Sequence, residues 1–190
     1  LKLGMFWDII TLRHKTIKKV IYKDDSGIVY LPLPYVEFLH GFIIKLYIKS
    51  EDPVVSGYMS KDNLDYTMDQ VKYMYNELDN HEEKLIRKAG FIMYNIASKH
   101  PFTDGNKRTS IITCNSFLEY NGCTICGLPY KKSKKFITEV AIGSRKEKDC
   151  QEFIKKHISK YSITKKTKKE IQNLHRKLES KLKKNRLIKK

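Results

Sequence analysis

His100-Pro101-Phe102-Thr103-Asp104-Gly105-Asn106-Lys107-Arg108-Thr109 lies between two stretches of helical periodicity. Upstream, Leu85, Ala89, Ile92, Met93 and Ile96 recur at amphipathic helical spacing, which predicts a helix over about 81–99. Pro101 disfavours helical geometry at His100, so that helix must stop there. Downstream, Ile112, Phe117 and Leu118 mark a helix from about Gly105/Asn106 to Tyr120, and Asn121-Gly122 is a natural C-terminal stop. A short polar loop held between two core helices is a rigid setting for chemistry.

The flanks extend the helical pattern. A helix is predicted over 34–50, with Phe38, Phe42 and Leu46 on one stripe, and another over 61–78, with Leu64, Met68, Val71 and Tyr75. Residues 51–60 break the pattern and read as an extended loop. Further helices are expected over 132–141 and 148–159. Before these, Ile17 to Tyr22 and Ile28 to Leu31 flank Lys23-Asp24-Asp25-Ser26-Gly27, a β-hairpin pattern closed by Pro32 and Pro34. The last segment places Ile171, Leu174, Leu178 and Leu182 at helical spacing. The expected class is mainly α, a helical bundle with a small β-hairpin appendage and a basic C-terminal helix. Three parts follow: an N-terminal extension with the hairpin (1–31), a helical domain that holds the loop (32–160) and a basic amphipathic helical tail (161–190).

The 190 residues include 41% hydrophobic side chains, enough for a core, and 31% charged ones. No stretch approaches the roughly 18 apolar residues of a membrane span; residues 38–48 are interrupted by His40 and Lys45. Leu1 to Asp8 has no cationic segment leading into a long apolar one, so no secretory signal is read and a cytoplasmic location is expected. Cys123 and Cys126 form a CxxC, but neither Cys114 nor Cys150 has a close Cys or His partner. Four reduced, mostly buried thiols are expected rather than a zinc site. The net charge of +17 is uneven: residues 163–190 hold twelve Lys/Arg against two Glu, leaving +7 for the rest. Such a tail suits nucleic acid, an acidic partner or a membrane surface, and equally a solvated helix face.

The loop itself carries the chemistry. The first turn of a helix has unpaired N–H groups and partial positive charge, so acids belong there. Lys107 and Arg108 are cations instead, and Gly105 weakens the turn. A bound anion resolves both oddities. Gly105 would let backbone N–H groups approach phosphate oxygens, Asn106 would add a donor, Lys107 a point charge and Arg108 a fork matched to phosphate. His100 can take a hydroxyl proton near neutral pH. Asp104 can hold Mg²⁺ or orient an attacking hydroxyl. Together these are the parts of a phosphoryl or nucleotidyl transfer site. Phe102 is read as a core anchor.

This stretch resembles the signature of the Fic/Doc (Fido) superfamily, His-x-Phe-x-Asp/Glu-Gly-Asn-x-Arg, with every defined position filled. The flanks Ala97-Ser98-Lys99, Thr109 and Phe117-Leu118-Glu119-Tyr120-Asn121-Gly122 resemble its death-on-curing (Doc) branch. The resemblance covers about 30–158 and implies a Fido-type helical bundle. It implies ATP as substrate with Mg²⁺ held through Asp104, and a protein target with a hydroxyl side chain. His100 would be the general base, with Asp104 and Arg108 the other catalytic groups. Gly105, Asn106, Lys107, Arg108 and Thr109 would bind the nucleotide phosphates. In the family a flap before the motif aligns the target by strand addition; Val54 and Val55 are the candidate positions, although an ordinary surface loop fits them too.

Adenylylating members carry Gly after the Asn and a second Arg three residues past the first. Lys107 and Ile111 stand there. Both departures match the Doc branch, in which ATP binds inverted and its γ-phosphate is transferred, and a translation elongation factor is the implied target. Against this, Doc typically has Ala where Gly105 stands. The alternative is AMP transfer. No Ser/Thr-x-x-x-Glu-Gly/Asn inhibitory helix is found, so restraint by a Phd-type antitoxin is implied. A basic nucleic-acid-binding protein is the alternative of another class, though aromatic interleaving, a helix-turn-helix and zinc fingers are all missing.

Overall fold

Burial follows the helical periodicity. The computed structural model describes residues 22–47, 55–126 and 129–160. In chain order the elements are β1 (Tyr22–Lys23), β2 (Val29–Tyr30), α1 (Leu33–Tyr47), α2 (Lys61–Gln70), α3 (His81–Ser98), α4 (Asn106–Tyr120), β3 (Cys123–Ile125), α5 (Tyr130–Ala141), α6 (Glu147–His157) and β4 (Ile158–Lys160). The mainly α class expected from the sequence is the observed one.

The centre is α3, whose sides pack chiefly on α4 and α6. Leu85, Ala89, Ile92, Met93 and Ile96 are all buried, as their spacing predicts. Its start is ordinary helix chemistry: Asn80 accepts the Glu83 N–H at 2.9 Å, and Glu82 and Glu83 sit in the first turn, where the helix dipole favours acids. Gly90 permits the crossing with α6. A Cβ there would lie 2.5 Å from Gln151 Cγ and 3.1 Å from its Cα.

The hairpin is real and belongs to the bundle. Tyr22 pairs with Tyr30 and Lys23 with Val29. Asp24 closes the turn by accepting from Ile28 N (2.9 Å), Ser26 Oγ (2.7 Å) and the Tyr30 hydroxyl (2.7 Å). Asn121, beyond the end of α4, clamps Val29 from both sides: it accepts the Val29 N–H at 2.8 Å and donates to the Val29 carbonyl at 2.9 Å. Ile28 and Tyr30 are buried. Residues 17–21, the rest of the predicted first strand, lie outside the described residues, as does the predicted tail helix.

Two boundaries differ from expectation for physical reasons. The helix expected to reach residue 78 ends at Gln70, and residues 71–77 form turns. The cause is Lys88 of α3, fully buried, whose ammonium donates to the carbonyls of Val71 (2.8 Å), Lys72 (3.2 Å) and Met74 (2.6 Å) and to Asn76 Oδ1 (2.9 Å). Carbonyls turned onto a lysine cannot all continue a helical ladder. Likewise α6 ends at His157 because Ile158–Lys160 pairs antiparallel with Cys123–Ile125. Three-residue strands 33 or more positions apart leave no periodic signal.

Candidate active site

The site lies where α3 ends and α4 begins. After the cap residue Lys99, His100 adopts φ +45°. A left-handed residue commonly closes a helix, but glycine usually takes that place, and a non-glycine residue there stores about 1–2 kcal/mol of strain. The exposed His100 ring is tethered by Nε2 to the Ala141 carbonyl, the last residue of α5, at 3.2 Å. A carbonyl only accepts, so this contact puts the ring proton on Nε2 and leaves the basic lone pair on Nδ1.

The loop is clasped from within. Asn106 accepts the Phe102 N–H at 2.9 Å and donates to the Phe102 carbonyl at 2.7 Å. Phe102 is buried, as expected for an anchor. Gly105 has φ +75°, the left-handed conformation that glycine supplies, and α4 starts with no side-chain cap and no acid in its first turn. Lys107 and Arg108 are exposed on that turn. Asp104 is half-buried and accepts the Gly105 N–H through Oδ1.

Two of the predicted phosphate-binding side chains make other contacts. The Asn106 amide is buried and spent on Phe102, and the Thr109 side chain is fully buried with Oγ1 turned 3.2 Å from His40 Nδ1. Asn106 shapes the loop, and the Thr109 N–H is donated to the Gly105 carbonyl at 2.9 Å.

The segment preceding α2 joins the loop by backbone pairing. Met59 N and Ser60 N donate to the Pro101 carbonyl (2.9 and 3.1 Å), Thr103 N donates to the Gly57 carbonyl (3.0 Å), and Tyr58 bridges Phe102 in antiparallel fashion. Val55 is 60% exposed just before this pairing, and Met59 is exposed too. Val54 lies outside the described residues.

His40 was not singled out from the sequence. It stands on the buried face of α1 with Val36, Leu39, Ile43 and Ile44 and reads there as one more core position. Its ring stacks on Phe102, with centroids 3.7 Å apart and planes 8° apart. Burial pushes its pKa down to about 4, against the opposing pull of Asp104. A lone histidine in an otherwise apolar stripe was the available signal.

Among the described residues no cluster of three or more His, Cys, Asp or Glu is poised for a metal. Asp104 nevertheless fits Mg²⁺, which is commonly bound through one or two carboxylates plus substrate phosphates. Cys114, Cys123 and Cys150 are buried free thiols and Cys126 is exposed. A cleft of about 530 Å³ opens between the hairpin and the end of α2, lined by residues that include Asp24, Asp25, Lys72 and Lys84. Its two acids balance its two lysines, and none of the loop residues lines it. No helix among the described residues is long and apolar enough to cross a membrane.

A model of the Fic/DOC family matches residues 30–118, from β2 through the loop and most of α4. No curated protein matches the chain.

Proposed function

Because the chain belongs to the Fic/DOC family through residues 30–118, whose members transfer nucleotide or phosphate groups to proteins, we propose that it is a Doc-like transferase. It moves the γ-phosphate of ATP to a hydroxyl side chain of a target protein. The observation that carries the reading is the uncapped α4 terminus, with Lys107 and Arg108 exposed on its first turn and His100 tethered beside it. A helix N-terminus and two exposed cations attract a polyphosphate.

The chemistry follows from these groups. His100 Nδ1 takes the proton of the target hydroxyl as its oxygen bonds to the γ-phosphorus. The bond from that phosphorus to the β-bridging oxygen breaks, and ADP leaves. Lys107, Arg108 and the helix terminus hold the charge on the phosphates. Asp104 would hold Mg²⁺, which supplies charge neutralisation between phosphates. The target strand adds along the flap that begins at Val55, where one edge of residues 57–60 is already occupied by 101–103.

Lys107 and Ile111 favour phosphate over AMP transfer. Gly105 favours AMP transfer by family comparison, but His40 accounts for that glycine: a Cβ there would lie 3.3 Å from His40 Cε1, on a backbone of positive φ. A Phd-type partner chain would restrain the enzyme.

The deciding experiment incubates the protein with host lysate and ATP labelled at the α- or γ-phosphate, beside His100→Ala. Protein-bound label from γ alone, lost by about 10²- to 10⁴-fold in the variant, is the expected result. Label from α establishes AMP transfer instead. Unchanged labelling by His100→Ala removes His100 as base.

A further inference from the structure

His40 is an expensive residue for its place. It is 5% exposed, its Nε2 is buried with no hydrogen-bond partner, and its neighbours on the inner face of α1 are aliphatic. An unmet buried polar atom costs about 1–3 kcal/mol, which a leucine there would avoid. Core packing alone therefore does not explain it.

Its contacts do. One face of the ring lies flat on Phe102 at the start of the loop. Nδ1 meets Thr109 Oγ1 at 3.2 Å, in the first turns of α4. The Cε1 edge crowds position 105, where a Cβ would lie 3.3 Å from it. One rigid plane thus touches the loop at its entrance, at its left-handed corner and at its exit. On the far side, the Phe102 ring stacks with Tyr58, centroids 5.4 Å apart, in the strand that pairs with the loop. Phenylalanine would supply the stack without the polar contact. Glutamine would supply the polar contact without the plane.

We propose that His40 is a positioning residue for group transfer: its ring templates the Phe102–Gly105–Thr109 turn and so sets the aim of the α4 N–H groups and Asp104, without touching substrate. Displacements of about 1 Å in such a constellation can lower turnover by about 10²-fold. The inference rests on the transferase reading, and its test separates the two.

His40→Phe, Thr109→Val and the double variant are compared with wild type in two measurements. The first is steady-state transfer from labelled ATP. Each single variant should lower kcat about 10- to 100-fold with KM for ATP within about threefold. The double variant should be no worse than the poorer single, because both remove one contact. Melting midpoints should stay within a few degrees of wild type. Wild-type kcat in His40→Phe overturns the proposal, as does a loss of kcat, KM and melting temperature in step. The second is amide hydrogen exchange over residues 103–107 without ligand, which needs no activity. Faster exchange in both single variants is expected, and unchanged exchange overturns the proposal even where the wild type transfers nothing. Absence of transfer by the wild type with faster exchange in the variants would refute the transferase reading while leaving His40 as the template of the turn.

Discussion

Two helix ends in this molecule have been given opposite treatment. After α2 the carbonyls of Val71, Lys72 and Met74 turn inward and receive the ammonium of Lys88, a cation supplied at the negative end of a helix. At the start of α4 the charges are of the wrong sign. Exposed Lys107 and Arg108 crowd the positive end, no side chain caps it, and the neighbouring carboxylate, Asp104, reaches only the cap N–H. The first end is complete within the chain. The second keeps two cations at its positive end. The sealed end serves stability, and the other is where the proposed anion site lies.

The largest test of that contrast is Lys88→Met. It removes the ammonium from three inward-turned carbonyls and from beneath the Tyr30 ring, 5.2 Å away. Breaking a buried charged network from one side costs about 3–5 kcal/mol, a large share of the roughly 5–15 kcal/mol that holds a domain together. Burial pushes the Lys88 pKa down to about 8, so it is charged at neutral pH and the full penalty applies. Urea unfolding should show it, while the folded fraction keeps wild-type kcat. A loss under about 1 kcal/mol would mean that the end of α2 satisfies itself in another way.

Lys107→Glu is the opposite experiment. An acid in the first turn of α4 suits the helix dipole and should raise stability by about 0.3–1 kcal/mol. The same change repels a polyphosphate and should lower kcat/KM for ATP at least about tenfold, roughly 1.4 kcal/mol. Denaturation and kinetics on one preparation check both signs. If activity survives, the α4 terminus is not the anion site.

The contrast also explains what could be read in advance. His100, Asp104, Gly105, Lys107 and Arg108 are contiguous, and their oddity is local: cations where a helix wants acids. The helices around them announced themselves by periodicity because most of their apolar positions face one core. The groups that shape the site are not local. His40 meets Thr109 across 69 positions and looks, in its own helix, like core filler. Lys88 resembles a solvent-facing lysine until the carbonyls 14 to 17 positions earlier fold over it. The early end of α2 was unreadable for the same reason, since its cause lies in α3. The contacts of the Asn106 and Thr109 side chains are not legible either, because sequence proximity does not say which way a side chain turns.

The smallest expected effect lies at the other end of α4, where the charge is again of the wrong sign. Glu119 stands in the last turn, beside the carbonyl end of the helix. Here the conflict is resolved by holding a proton. Burial pushes the Glu119 pKa up to about 8, although Asn115 and Thr124 both donate toward its carboxylate. The folded state therefore binds a proton that the unfolded chain, with an ordinary glutamate, releases above about pH 4.5. Glu119 contributes fully below that pH, and its contribution is lost as pH rises through about 8. Between these limits stability should fall with rising pH, with a slope no steeper than the one-proton limit of about 1.4 kcal/mol per pH unit. Glu119→Gln keeps the shape and removes the titration. Its stability should match wild type near pH 4 and exceed it above pH 8, with this part of the slope abolished. Equal slopes in the two proteins would show that Glu119 is ionised in the fold, and that the C-terminal end of α4 tolerates the wrong charge without a proton to relieve it.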